Sequence, residues 1–190
     1  MPGPECLPWS VARWPSTSSA PHPVLVVSAL GESGGTMFPM NLTGELGDGR
    51  FGLALQSANQ PARLVESARR IAVSTVPLEH APFAYRLGAN HFRDSIDWNS
   101  LPFATNPSSI WKIPVPAFAL RVREMEIKQV YRTGRHTFFV ARVVSDAHLT
   151  RGPALHTIHG HYQAFRIKEH ISDRQSSLRA DAAHKGRPLG

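Results

Sequence analysis

Apolar residues in the first half of the chain fall into short runs broken by glycine, proline and asparagine, a rhythm that predicts strands and turns. PVLVVSAL, residues 23–30, is bounded by Pro23 and a GESGG turn at 31–35 and predicts a buried strand entering a hairpin. TMFPMNLTGEL, residues 36–46, is strand-like, but Pro39 has no N–H for a ladder. That stretch is expected at a sheet edge or bulge, where freed backbone can bond a ligand. A GDG turn at 47–49 leads into a third strand, RFGLALQS, at 50–57.

The period changes in ANQPARLVESARRIAVSTVP, residues 58–77, where Leu64, Ala68 and Ile71 recur at helical spacing. Asn59 suits an N-cap and Pro61 a first helical turn, while the closing IAVSTV reverts to strand. Residues 78–112 are the least regular, with APFAYRLGANHF predicting a short helix and the rest a long loop. Residues 116–134, in which Ala117, Ala119, Arg121, Arg123, Met125 and Ile127 alternate, pair with RHTFFVARVVSDAHL as a long hairpin turning at Tyr131 to Gly134. ALHTIHGHYQAFRI, residues 154–167, adds a strand-like piece around Gly160. Many short strands and few helices predict a mainly β fold, a small barrel or sandwich.

At 190 residues the chain is expected to form one domain, spanning 21–170, with an extended proline-rich lead-in at 1–20 and a polar, basic, disordered tail at 171–190. Within the lead-in, Trp9, Val11 and Trp14 could pack as a short segment. The single cysteine, Cys6, excludes an internal disulfide and a cysteine-rich metal framework, and it fits a reducing, cytoplasmic compartment. No apolar run nears the roughly 20 residues of a membrane helix, and the proline-rich opening residues lack the continuous apolar run of a secretory signal. The net charge of +7 is spread along the chain and concentrated in Arg63, Arg69, Arg70 and the tail, which suits a solubilising surface or a phosphate-bearing small ligand. Nucleic acid is disfavoured, because Phe138, Phe139 and Tyr162 read as core rather than as platforms interleaved with cations.

His156, His159 and His161 are the densest candidate ligand set, and His159 and His161 would share a strand face. No cysteine or carboxylate stands at ligand spacing beside them, so a polar face is favoured over a metal site. No G-x-S-x-G elbow occurs, which leaves nucleophilic catalysis without support. ALQSANQPARL is more informative: Gln56 and Ser57 end a strand, and Asn59, Gln60 and Arg63 open a helix. Unpaired N–H groups and the positive end of the helix dipole, with these polar side chains, suit a phosphate monoester, although an ordinary Asn cap with a solvent-facing arginine fits the same residues. In GRHTFFVARVVS, His136 opens a strand with no nucleophile beside it.

In their order and spacing, PHPVLVVSALGESGGTMFPMNLTG, FGLALQSANQPARLVESARRIAVSTVP, GRHTFFVARVVSDAHL and GHYQAFR resemble the flavin reductase-like, FMN-binding split-barrel family, over residues 21–167. The resemblance implies an antiparallel split β-barrel with a few peripheral helices, a homodimer, and a flavin at the subunit interface. By that resemblance Met40, Asn41, Leu42 and Thr43 would run beside the isoalloxazine ring, the QSANQ turn would hold the phosphate through Ser57, Asn59 and Gln60, with Arg63 as a further member, and Gln56 would also touch the cofactor. His136 would orient the flavin or the nicotinamide, and His161 and Tyr162, after Gly160, would close over the ring. Arg135 stands where reductases of the family commonly carry aspartate, and FPMN replaces their smaller, hydroxyl-bearing residues. The implied activity is hydride transfer from NADH or NADPH to FMN, with FAD as the other flavin, and onward to an acceptor or a partner oxygenase. A non-catalytic flavin-binding or electron-relay protein is the alternative.

Overall fold

Leu25, Val27 and Ala29 face one side of their segment and Val24 and Val26 the other, and all five are buried. Apolar residues on both faces are what a strand covered on both sides requires. The computed structural model describes residues 22–32 and 34–157. The elements are β1 (His22–Pro23), β2 (Leu25–Gly31), β3 (Gly34–Met40), β4 (Thr43–Gly47), β5 (Arg50–Gln56), α1 (Gln60–Ala68), β6 (Arg70–Thr75), α2 (Ala81–Leu87), β7 (Thr105–Pro107), β8 (Pro114–Pro116), β9 (Arg121–Thr133), β10 (His136–His148) and β11 (His156–Thr157). Seven strands form one antiparallel sheet in the order β3-β2-β6-β9-β10-β5-β4, while β1 pairs with β11 and β7 with β8. Among the described residues the fold is thus mainly β with two α-helices, and the sheet has two edges, β3 and β4.

One core gathers Phe38 of the β3 edge, Leu53 of β5, Ile71, Met125, Phe139 and Val65 of α1, so strands from both ends of the sheet enclose the same interior. A second core lies on the opposite face, where Val24, Val26 and Met37 pack against Ala81, Ala84 and Leu87 of α2 and against Leu155.

The stretch 36–46 is not one strand. It breaks at Asn41 and Leu42, and its halves become β3 and β4, the two opposite edges of the sheet. Pro39 stands on an edge as expected. The helix ends just before the IAVSTV strand, as expected: Arg69 adopts a left-handed conformation (φ 57°) and donates its N–H to the Val65 carbonyl, which ends α1. Ile71 therefore belongs to β6, fully buried. In the long hairpin the ladder stays paired through Thr133, and the turn is Gly134 and Arg135, with Gly134 at φ 55°. Its first strand begins at Arg121, because residues 117–120 form a turn in which the Ala119 N–H reaches the Pro116 carbonyl. The strand-like piece around Gly160 is described only as far as β11, and the lead-in and the tail lie outside the described residues.

Part of the irregular segment is tied to the sheet by a buried carboxylate. Glu124 of β9 accepts hydrogen bonds from the hydroxyls of Ser108 and Ser109 and from the N–H groups of Ile110 and Trp111, at 2.5 to 2.9 Å. Burial acts to raise its pKa, but these four donors outweigh burial and hold it below the ordinary carboxylate value. Among the described residues no helix is long and apolar enough to cross a membrane.

Candidate active site

An edge strand directs every second backbone group away from its only neighbour, and these groups need partners from elsewhere. On β3 the row is Gly35, Met37 and Pro39. Their carbonyls accept from the Ile96 N–H at 3.0 Å, the Asn90 amide at 2.8 Å and the His91 Nε2 at 3.2 Å. Asn90 and His91 belong to a short 3-10 turn, Gly88–Phe92, that follows α2. Pro39 sits in this outward row, so its missing N–H leaves no gap in the β2 ladder.

Asn41 is the next position of the row, and it opens onto a cleft of about 320 Å³. Met40, Asn41 and Leu42 form one wall, Ala54, Leu55 and Gln56 with Asn59 a second, and His91, Phe92 and His136 complete the lining. An adjoining cleft of about 370 Å³ shares Asn41, Leu42 and Ala54 and adds Thr43, Leu46 and Phe138. Residues far apart in sequence thus converge where the chain crosses from one edge of the sheet to the other.

His136 is paired directly opposite Gln56 in the β5–β10 ladder. Beyond that pair the Ser57 N–H donates to the Arg135 carbonyl at 2.9 Å, and the hydroxyls of Ser57 and Thr137 lie 2.9 Å apart. The Ser57 side chain is thereby joined to β10 and does not line the cleft. At the start of α1, the Asn59 side chain makes no capping hydrogen bond and instead lines the cleft. The backbone donors there are fewer than the sequence suggests: Pro61 has none, and the Ala62 N–H reaches the Asn59 carbonyl at 3.1 Å. The Gln60 N–H remains. Gln60 and the exposed Arg63 lie in the first turn but outside the cleft lining.

His91 and Phe92 were not foreseen. The sequence puts them at the end of a predicted short helix, where a histidine carries no signal until the segment is folded against an edge strand. His91 is half-buried, with its ring 5.1 Å from that of Phe38. Burial lowers its pKa, against the smaller raising effect of its bond to the Pro39 carbonyl. Phe92 is 83% exposed at the lip of the cleft. His159, His161 and Tyr162 lie outside the described residues, and His156 pairs its Nδ1 with the Ala154 carbonyl at 3.0 Å. Among the described residues no group of histidine, cysteine and carboxylate side chains is arranged to hold a metal.

The flavin reductase like domain family model matches residues 17–166. The chain belongs to this family. Among solved structures, the Streptomyces globisporus NADH:FAD oxidoreductase is similar with a TM-score of 0.67 and 16% identity, over 75% of this chain and 85% of that one. The Thermus thermophilus FMN-binding protein, with bound cyclohexenone, is similar with a TM-score of 0.60 and 23% identity, over 78% and 79% of the two chains. The styrene monooxygenase flavin reductase of Pseudomonas putida has a TM-score of 0.61 and 20% identity, over 75% and 90%. At these identities the likeness is one of fold. No curated protein sequence matches the chain.

Proposed function

We propose that this member of the flavin reductase like family is an NAD(P)H-dependent flavin reductase that binds FMN, or FAD by the same ring, in the cleft at the β3–β4 crossing. The observation that carries this reading is the convergence of Met40, Asn41, Leu42, Gln56, Asn59 and His136 on one cavity. The residues fit the group. Met40, Leu42, Ala54 and Leu55 offer apolar walls to a flat ring, while Asn41, Gln56 and Asn59 offer polar atoms to its edges and side chain. The two adjoining clefts, at about 320 and 370 Å³, are each of the size that cofactor sites take, roughly 300 to 1,000 Å³. The Gln60 N–H and the uncapped start of α1 support a phosphate beside Asn59.

A bound flavin supplies acceptance of hydride from a reduced nicotinamide. The chain supplies orientation and exclusion of water. His136, held opposite Gln56 and flanked by the Ser57–Thr137 bond, presents its ring to the cleft from a paired strand rather than a loop. No acid–base pair is needed for such a transfer, which agrees with a cleft whose titratable lining residues are His91 and His136.

The split-barrel description and the homodimer belong to the same reading. Two sheet edges that pair with no further strand among the described residues, around a shared core, support the first. Leu42 and Leu46, 58% and 46% exposed beside the second cleft, support a second copy covering that face, and light scattering of the purified protein tests it. Partner oxygenases are the acceptors that the Pseudomonas putida relative's name suggests.

The test is an absorption spectrum of the purified protein with FMN, followed by anaerobic addition of NADH or NADPH. A bound yellow chromophore that bleaches supports the reductase. Bound flavin indifferent to both nucleotides would leave a binding module, and a protein that takes up no flavin would overturn the reading altogether.

A further inference from the structure

The cleft contains a hydrogen-bond acceptor that the family match does not assign. A carbonyl oxygen only accepts, so the 3.2 Å contact between His91 Nε2 and the Pro39 carbonyl requires Nε2 to carry the proton. In the neutral ring the other nitrogen, Nδ1, is then a bare lone pair. Among the described residues Nδ1 has no protein partner. It is also not one of the sealed, unsatisfied polar atoms, which are the hydroxyls of Ser28, Thr36 and Ser74. The ring is fixed in place by the Pro39 bond and by Phe38 at 5.1 Å, and it lines the cleft. A fixed, half-buried acceptor on a cavity wall, without a partner of its own, is complementary to a ligand that carries a donor there.

We propose that His91 is a positioning residue whose Nδ1 accepts a hydrogen bond from an N–H or O–H of the bound flavin. This rests on the flavin reading above. The donor is either the ring imide, the one N–H of an oxidised isoalloxazine, or a ribityl hydroxyl. Neutrality of His91 near pH 7 follows from its burial, which disfavours the imidazolium. The other titratable residue that lines the cleft, His136, brings no negative charge to reverse that preference.

The experiment is long-range proton–nitrogen NMR on the full chain labelled with nitrogen-15 histidine, with His91 assigned by loss of its signals in His91→Phe, or in His91→Gln if the first variant does not fold. Free protein should show Nε2 protonated and Nδ1 bare. Saturating FMN, followed independently by quenching of flavin fluorescence, should shift the Nδ1 resonance upfield as it accepts a bond. The variant should bind FMN roughly tenfold more weakly. Two arms separate the donors: 3-methyl-FMN abolishes the shift if the imide is the donor, and a deoxyribityl analogue abolishes it if a hydroxyl is. A protonated Nδ1 in the free protein, or quenching with an unmoved Nδ1, overturns the role of His91 and leaves the flavin reading standing. Absence of any quenching removes both.

Discussion

The hydroxyls of Ser57 and Thr137 meet at 2.9 Å across the ends of β5 and β10, diagonally beside the pair formed by Gln56 and His136. Together with the Ser57 N–H on the Arg135 carbonyl, this contact locks the turn that precedes α1 to the turn that precedes His136. Ser57→Ala and Thr137→Val should each destabilise the protein by about 1 kcal/mol and weaken FMN binding by a few-fold. The double variant should be little worse than either single one, because both lose the same bond. Thermal unfolding and fluorescence titration of the four proteins test this. Strict additivity would show that the two hydroxyls act separately.

His136 reaches the cleft from a strand whose backbone is paired on both sides, so removing its side chain should leave the cavity standing. His136→Ala is expected to slow reduction by NADH roughly 10- to 100-fold through lost orientation, while FMN affinity changes little. Stopped-flow reduction of the FMN-loaded variant, beside its equilibrium titration, separates the two. Collapse of flavin binding with an unchanged reduction rate would move His136 from the nicotinamide to the flavin.

Most strands were legible because their signals are local. PVLVVSAL is apolar on both faces, Ser28 apart, because β2 is covered on both sides, and GDG and Gly134 mark turns with positive φ. The break at Asn41 was not legible: whether a run stays on one edge or crosses to the other is decided by partners far along the chain, here Val26 opposite Pro39 and Leu53 opposite Thr43. The cleft was half legible for a similar reason. Gln56, Asn59 and His136 stand at element ends, where sequence shows them, whereas His91 and Phe92 enter only because Asn90 and His91 find unpaired carbonyls on an edge strand. Ser57, expected at the phosphate, has its hydroxyl on Thr137 and lies outside the cleft lining.

Asn90 tests that edge directly. Its buried amide donates to the Met37 carbonyl at 2.8 Å, and Asn90→Ala leaves that carbonyl without its partner and loosens the turn that carries His91 and Phe92. A loss of about 1 to 2 kcal/mol is expected, which lowers the melting temperature by about 3 to 6 °C for a domain of this size. Hydrogen exchange should quicken in β3 and the 3-10 turn while β9 and β10 keep their protection. Uniform loss of protection would mean that the turn is not a separable clamp.

Glu124 gives the protein a predictable acid response. Its carboxylate accepts four hydrogen bonds from Ser108 to Trp111, and its pKa in the folded state lies below the ordinary value because those donors outweigh burial. A carboxylate depressed on folding stabilises the native state fully above its unfolded pKa, near 4.3, and that contribution is lost as pH falls through the lower folded value. Glu124→Gln keeps the shape but sets an NH₂ group against donors, and at pH 7 it should cost about 2 to 3 kcal/mol. The gap between wild type and variant should hold from pH 7 down to about 5 and narrow steadily below 4. The Arg121–Asp146 pair also weakens in acid, but it is common to both proteins and cancels in the difference. Urea unfolding of the two proteins at pH 7, 5 and 3.5 measures the gap, and a gap that does not change with pH would mean that the charge on Glu124 contributes nothing and the loop is held by shape alone.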